Sequence, residues 1–306
     1  MGAGHNHGHA AGRAEDRARL RLVLAITVVV MAVELLGAWV AGSLALLADA
    51  GHMATDTAAI VLALGASYVA TRPPGPRSTF GWHRAEILAA LVNALVLLAV
   101  CAYLGYAGIS RLADPATVHA GPMIGFAVAG LVANAVSLTI LHRSETGSLN
   151  LRGAAAEVFA DLLGSVLVVV AGVVIWLTDF QRADPIASLV IAVMILPRSL
   201  MLLRDSAAVL LEVAPKGLDL DDVRRHLMDM RGVVDVHDLH AWTITSGLPS
   251  LSAHVTVTDE VLAELGVGGI LDRLCECTSD HFDIHHATFQ VEPVTHQEHE
   301  DLGEAH

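Results

Sequence analysis

Charged residues are scarce in this sequence: Asp, Glu, Lys and Arg make up 16% of its 306 residues, against roughly 25% in a soluble globular domain. Hydrophobic residues reach 54% and the mean hydropathy is +0.57. That balance excludes an ordinary soluble domain and points to a polytopic membrane protein. Aromatic residues are also few, at 4%, and no basic stripe carries them interleaved, so a nucleic-acid partner is not expected. Only three cysteines occur, Cys101, Cys275 and Cys277. They build neither a disulfide framework nor a zinc ribbon, and the C-x-C pair reads as ordinary thiols on a helix. No small-residue cleavage pattern follows the first apolar run, which is therefore expected to stay as a membrane span.

Six apolar runs are present, each near the ~20 residues that cross a bilayer. They extend over Leu22–Val40, Leu44–Ala70, Ala85–Ile109, Pro122–Leu141, Ala154–Leu177 and Pro185–Leu203. The formal charge of -14 is segregated around them. Arg13, Arg17, Arg19 and Arg21 precede the first run, Arg72, Arg77 and Arg84 separate the second from the third, Arg143 and Arg152 flank the loop after the fourth, and Arg204 follows the sixth. The other side has Arg111 and Arg182 alone. The positive-inside bias puts both termini in the cytoplasm of a multi-pass protein of the inner or plasma membrane.

Outside the runs lie three further segments. Residues 1–19 form a polar, Gly-rich tail with His5, His7 and His9 in alternation; such a tract builds no core, and it is either a loose metal collector or inert. After the six-run segment at 20–205, residues 206–295 change character. Leu218–Met230 reads as helix with Asp219, Asp221 and Asp222 near its start, Val233–Thr245 and Leu251–Val257 as strands split by Ser246-Gly247-Leu248-Pro249, Glu260–Cys277 as helix, and Ala287–Val291 as a last strand. The order αββαβ implies a small cytoplasmic α+β domain of ferredoxin-like type. Residues 296–306 are an acidic, His-rich tail.

Polar groups inside the runs carry the functional signal, because ionisable residues cost several kcal/mol there and mark pathways or sites. His52 and Asp56 are four apart in the second run, and Glu157 and Asp161 repeat that spacing in the fifth. On helices each pair lies on one face, and two pairs on neighbouring helices supply the four N/O ligands of a tetrahedral divalent-metal site. Glu34 and Asp49 are further intramembrane carboxylates that either line the path or bond a neighbouring helix. Asn93 and Asn134 read as interhelical hydrogen-bonding amides, and His83 as a loop-end cap.

The stretch Ser43-Leu44-Ala45-Leu46-Leu47-Ala48-Asp49-Ala50-Gly51-His52-Met53-Ala54-Thr55-Asp56 resembles the second-helix signature of the cation diffusion facilitator family. Phe80-Gly81-Trp82-His83-Arg84-Ala85-Glu86 is similar to its third-helix entry, and the run from Val236 to Gly247, beginning Val236-His237-Asp238-Leu239-His240-Ala241-Trp242, to the start of its cytoplasmic domain in the bacterial zinc/cadmium/cobalt-exporting branch. The resemblance implies a six-helix homodimeric transporter, not an enzyme, that exports divalent metal, with Zn2+ as the leading cargo, in exchange for protons. It also implies a second, regulatory metal set at His237, His254, His285 and Glu292. From the residues alone, His237 and His254 fall on adjacent strands while His285 and Glu292 flank the last one, so a shared site and metal-free surface histidines both remain open. His240 and His286 are left out, since strand alternation turns His286 away from the face of His285.

One departure stands out. The zinc-transporting branch usually carries His where this chain has Glu157, and three carboxylates with one imidazole make a harder, more anionic site. Cobalt, manganese, iron and cadmium thus remain alternative cargoes. Carboxylates this close also compete for a proton, so a proton can replace the metal on Glu157 or Asp161. Two readings of another class are a non-transporting metal sensor and an intramembrane metalloenzyme; no His-Glu-x-x-His motif supports the latter.

Overall fold

A computed structural model describes residues 6–142, 149–245 and 247–297, with side chains for 18–142, 151–245 and 247–296. Residues 1–5, 143–148, 246 and 298–306 lie outside the described residues, and with them His5, Arg143 and most of the acidic tail. Six long helices come first: α1 Asn6–Ala41, α2 Leu44–Ala70, α3 Arg84–Ala113, α4 Ala120–His142, α5 Leu149–Thr178 and α6 Ala183–Leu210. Each contains a stretch long and apolar enough to cross a membrane, beginning at Ala18 in α1. The helix itself starts earlier, at Asn6, within the segment that composition alone assigns to a tail.

Large apolar side chains cover the outside of these helices, as they do where lipid replaces water. Val29, Leu64, Val132 and Val193 are all exposed, while small residues such as Ala41, Ala45, Ala48, Ala94 and Ala127 fill the interior beside Leu44, Leu97 and Met123. Small residues let helix backbones approach, which is how membrane helices associate without a hydrophobic driving force between them. Trp39, Tyr106 and Trp176 are exposed near the ends of α1, α3 and α5, where amphipathic rings anchor a bilayer interface.

The connection between α1 and α2 is the tightest in the bundle. Gly42 adopts φ +67° there. Buried Asp184, in the first turn of α6, accepts from Ser43 Oγ at 2.5 Å and from the amides of Leu44 and Ala45 at 2.8 and 3.1 Å. It thereby satisfies amides that the start of α2 leaves without intrahelical partners. Arg111 donates to Gly42 O at 2.8 Å, and Arg182 to Leu112 O at 2.9 Å. The two arginines that stand against the positive-inside count thus tie backbone carbonyls, one in the α1–α2 connection and one in the last turn of α3.

The chain divides into two compact units, one of Met1–Ala63 with Val92–Leu203, the other of Leu64–Leu91 with Arg204–His306. In the second, α7 (Leu220–Met228), β1 (Val233–Thr245), β2 (Leu248–Val257), α8 (Asp259–Phe282), β3 (His286–Pro293) and the short α9 (Val294–Gln297) follow one another. The αββαβ order is as expected, and β2 starts three residues early, so that Leu248 and Pro249 belong to the strand rather than to the turn. The sheet order is β1-β2-β3, antiparallel for the first pair and parallel for the second, with α8 as the crossover. One sheet face buries Val236, Leu251, Ala253, Val255 and Val257 against Val223 and Leu227 of α7 and Ile270 and Leu274 of α8. Asp219 caps α7 through the Asp221 amide, and Thr258 caps α8 through Val261. The α8 helix is interrupted at Gly266, whose φ of +66° no helical residue adopts.

Candidate metal sites

In the membrane helices, α2 and α5 supply the central group. His52 and Asp56 lie one above the other on α2, with His52 Nε2 3.5 Å from Asp56 Oδ2. The same Nε2 is 4.0 Å from Asp161 Oδ1 of α5. The α-helical i,i+4 stacking that the spacing predicts is therefore present on α2, and Asp161 comes across to meet it. All three residues are largely buried, and their donors, one imidazole and two carboxylates, suit a borderline divalent ion. A cavity of about 260 Å³ leads to Asp56 and Asp161, lined also by Leu20, Arg21, Ala154 and Glu157.

Glu157 does not join the imidazole. Its Oε1 is 2.5 Å from Arg198 Nη2 of α6, and Arg198 Nη1 is 3.7 Å from Asp56 Oδ2. Arg198 is not among the residues that spacing and resemblance single out. A signal for it was available, since a lone arginine sits in the middle of an otherwise apolar run directly after Pro197.

Asp49 and Glu34 lie apart from His52. Buried Asp49 accepts from Ser165 Oγ of α5 at 3.2 Å, and Ser165 accepts from Asn134 Nδ2 of α4 at 3.4 Å. This is the hydrogen-bonding alternative for Asp49 and the interhelical role expected of Asn134. Glu34 is fully buried against Gly130 of α4, where a Cβ would meet its carboxylate and Ser165 Oγ.

In the C-terminal domain, the β-ladder makes the second group. His237 of β1 and His254 of β2 are register partners, so both imidazoles rise from one face, with ring centroids 5.3 Å apart. Glu292 of β3, opposite Thr256, comes to the same face with its carboxylate 2% exposed: Oε2 is 3.7 Å from His237 Nε2, and Oε1 is 3.0 Å from His254 Nδ1. One ligand atom from each of the three lies within 4.8 Å of the others. A carboxylate this deep requires partners, and two imidazoles with a carboxylate form a donor set that fits zinc. Gln290 donates to Glu292 Oε1 at 2.7 Å, and Asp235 Oδ2 lies 3.3 Å from His237 Nδ1, second partners that orient ligands.

His285 stays outside this group. It precedes β3, is 72% exposed on its side chain, and places Nε2 3.1 Å from Asp283 Oδ1 at the left-handed end of α8. Its neighbour His286 turns the other way, edge-on to Phe80. Asp238, at φ +48° in the irregular stretch of β1, is 2.8 Å from His240 Nε2 and 3.7 Å from His254 Nε2. The bond to His240 holds the Asp238 carboxyl below the ordinary carboxylate range.

Comparison with known proteins decides the family. The cation efflux transmembrane domain matches residues 20–211, and the cytoplasmic domain of cation efflux proteins matches 215–294. The chain belongs to the cation efflux, or cation diffusion facilitator, family. It is accordingly a multi-pass membrane transporter of metal cations and not an enzyme. Among its relatives, the metal cation efflux system protein CzcD of Cupriavidus metallidurans is 40% identical over 292 residues, which cover 95% of this chain and 90% of that protein. The zinc transporter ZitB of Escherichia coli is 41% identical over 268 residues, 87% and 84% of the two chains. The metal-bound C-terminal domain of the CzcD transporter, a solved structure, shares 40% identity over 24% of this chain and 99% of its own, with a TM-score of 0.22.

Proposed function

We propose that the protein exports a divalent metal, zinc foremost, from the cytoplasm in exchange for protons, and that the ion binds in the membrane at His52, Asp56 and Asp161, with Glu157 bordering the site. The observation that carries this reading is the meeting of the His52 imidazole with Asp56 on its own helix and Asp161 on α5. A dehydrated dication needs donors that replace its water, which carboxylates and a neutral imidazole supply, and ionisable groups in a membrane span mark a functional site by default. The names of relatives support zinc, and one relative of Bacillus subtilis, 35% identical over 268 residues, is a cadmium, cobalt and zinc/H(+)-K(+) antiporter.

Exchange follows from the ligands themselves. The metal needs the unprotonated imidazole and ionised carboxylates, so protons arriving from the acidic side compete for the same atoms and release the ion. In this reading both termini are cytoplasmic, the chain works as a homodimer in the bilayer, and the group of His237, His254 and Glu292 binds zinc as a regulatory ion that tunes the membrane helices. The tails at 1–19 and 296–306 flank a transport segment at 20–205 and a cytoplasmic domain at 206–295.

Flux in proteoliposomes tests the proposal. Asp56→Ala and Asp161→Ala should each abolish zinc-driven proton movement; wild-type rates in either variant contradict the central site. A non-transporting sensor would bind zinc at the C-terminal domain and move none. Competition among zinc, cobalt, manganese, iron and cadmium in the same vesicles ranks the cargo.

A further inference from the structure

Transport as proposed makes no use of one short contact, the ion pair between Glu157 and Arg198. Arg198 lies in the span of α6, directly after Pro197. Its two terminal nitrogens reach different carboxylates, Nη2 to Glu157 at 2.5 Å and Nη1 to Asp56 at 3.7 Å. A guanidinium is charged at any accessible pH and its fork suits two carboxylates at once, so this is a fixed positive charge held at the edge of the candidate site.

The charge balance gives it a purpose. Within the contacting group of His52, Asp56, Glu157, Asp161 and Arg198, with Asp56 and Asp161 ionised as metal binding requires, Glu157 ionised in its ion pair and His52 neutral, the three carboxylates and one guanidinium sum to minus two. A single divalent cation cancels that charge, and in a low-dielectric setting any residual charge acts strongly on the ion. Without Arg198 the site would stand at minus three, holding a dication too firmly to release it and favouring harder ions than zinc. Without Glu157 but with Arg198, a guanidinium left with Asp56 as its carboxylate partner would face the incoming metal. Pairing also takes Glu157 out of the ligand set, leaving one nitrogen and two carboxylates, a three-ligand arrangement that zinc accepts with a further small ligand.

We infer that Arg198 is a specificity-determining residue of the transport site, a tethered cation whose pairing with Glu157 sets the charge presented to the metal at minus two. This inference rests on the proposed site, and the two can fail separately. Zinc and manganese flux would be compared in proteoliposomes of wild type, Arg198→Gln, Glu157→His and the doubles Glu157→Gln/Arg198→Gln and Glu157→His/Arg198→Gln, with Asp161→Ala alongside.

Each single variant should transport zinc at least tenfold more slowly, and Arg198→Gln should raise the manganese-to-zinc ratio at least threefold. At least one double, again at minus two, should recover to within threefold of wild type. Because both doubles contain Arg198→Gln, such recovery also separates lost charge balance from lost folding. Wild-type zinc flux in Arg198→Gln, an unchanged ratio, or failure of both doubles overturns the inference. Wild-type flux in Asp161→Ala would instead overturn the site itself.

Discussion

Asp184 caps a helix to which it does not belong: its carboxylate accepts from Ser43 Oγ at 2.5 Å and closes the start of α2 from the first turn of α6. Arg111 lies 3.6 Å from the same carboxylate, so the charge is balanced as well as bonded. Asp184→Asn keeps an acceptor but removes the charge from three donors and the arginine. Hydrogen bonds to charged groups contribute about 1.5–3 kcal/mol each, so a stability loss on the order of 2 kcal/mol is expected. Thermal unfolding in detergent should show it, with the order of metal preference unchanged because Asp184 touches none of the site residues.

Gly164 makes a different prediction about the same bundle. A Cβ at this position of α5 would collide with the buried Asp49 carboxylate, which the bond from Ser165 holds in place. Since neither the helix nor the carboxylate has free space, Gly164→Ala should cost roughly 1–3 kcal/mol as overpacking. Ser165→Ala removes the bond without adding volume and should be milder. A thermal shift larger for Ser165→Ala than for Gly164→Ala would contradict this packing.

Much of this arrangement was legible in the residues, and the exceptions share a cause. Hydropathy located five of the six spans to within four residues at each end because lipid enforces a minimum length on each helix, while the sixth helix runs seven residues past the expected Leu203. The i,i+4 pair of His52 and Asp56 was readable because helix geometry is local. Glu157 was not, because its fate depends on Arg198, forty-one positions later on another helix. The role of Asp184 is non-local for the same reason, reaching Ser43 across 141 positions. In the C-terminal domain the strand order gave His237 and His254 as neighbours, whereas His285 precedes β3 and stands seven positions from Glu292, an odd spacing that alternation puts on the opposite face.

Zinc should stabilise the C-terminal domain through His237, His254 and Glu292. In a full chain carrying Asp56→Ala and Asp161→Ala to silence the membrane site, free zinc at a hundred times the dissociation constant should add about 2.7 kcal/mol. Adding His254→Ala should erase that gain, because His254 and Glu292 are the closest pair in the group at 3.0 Å. Zinc-dependent unfolding temperatures measure it; an undiminished shift in the triple variant would place the stabilising ion elsewhere.

His285 provides the sharpest contrast. Its imidazole is exposed and occupied with Asp283 at the end of α8, one residue before β3 begins, whereas His254 and Glu292 meet each other at 3.0 Å. Loss of a true ligand should weaken zinc binding by well over the roughly tenfold to hundredfold that orienting partners control, so His254→Ala is expected to lower affinity by at least about a hundredfold. His285→Ala should change it by less than about threefold in the same silenced background, read by competition against a zinc-binding dye. Equal losses in the two variants would mean that His285 reaches the ion.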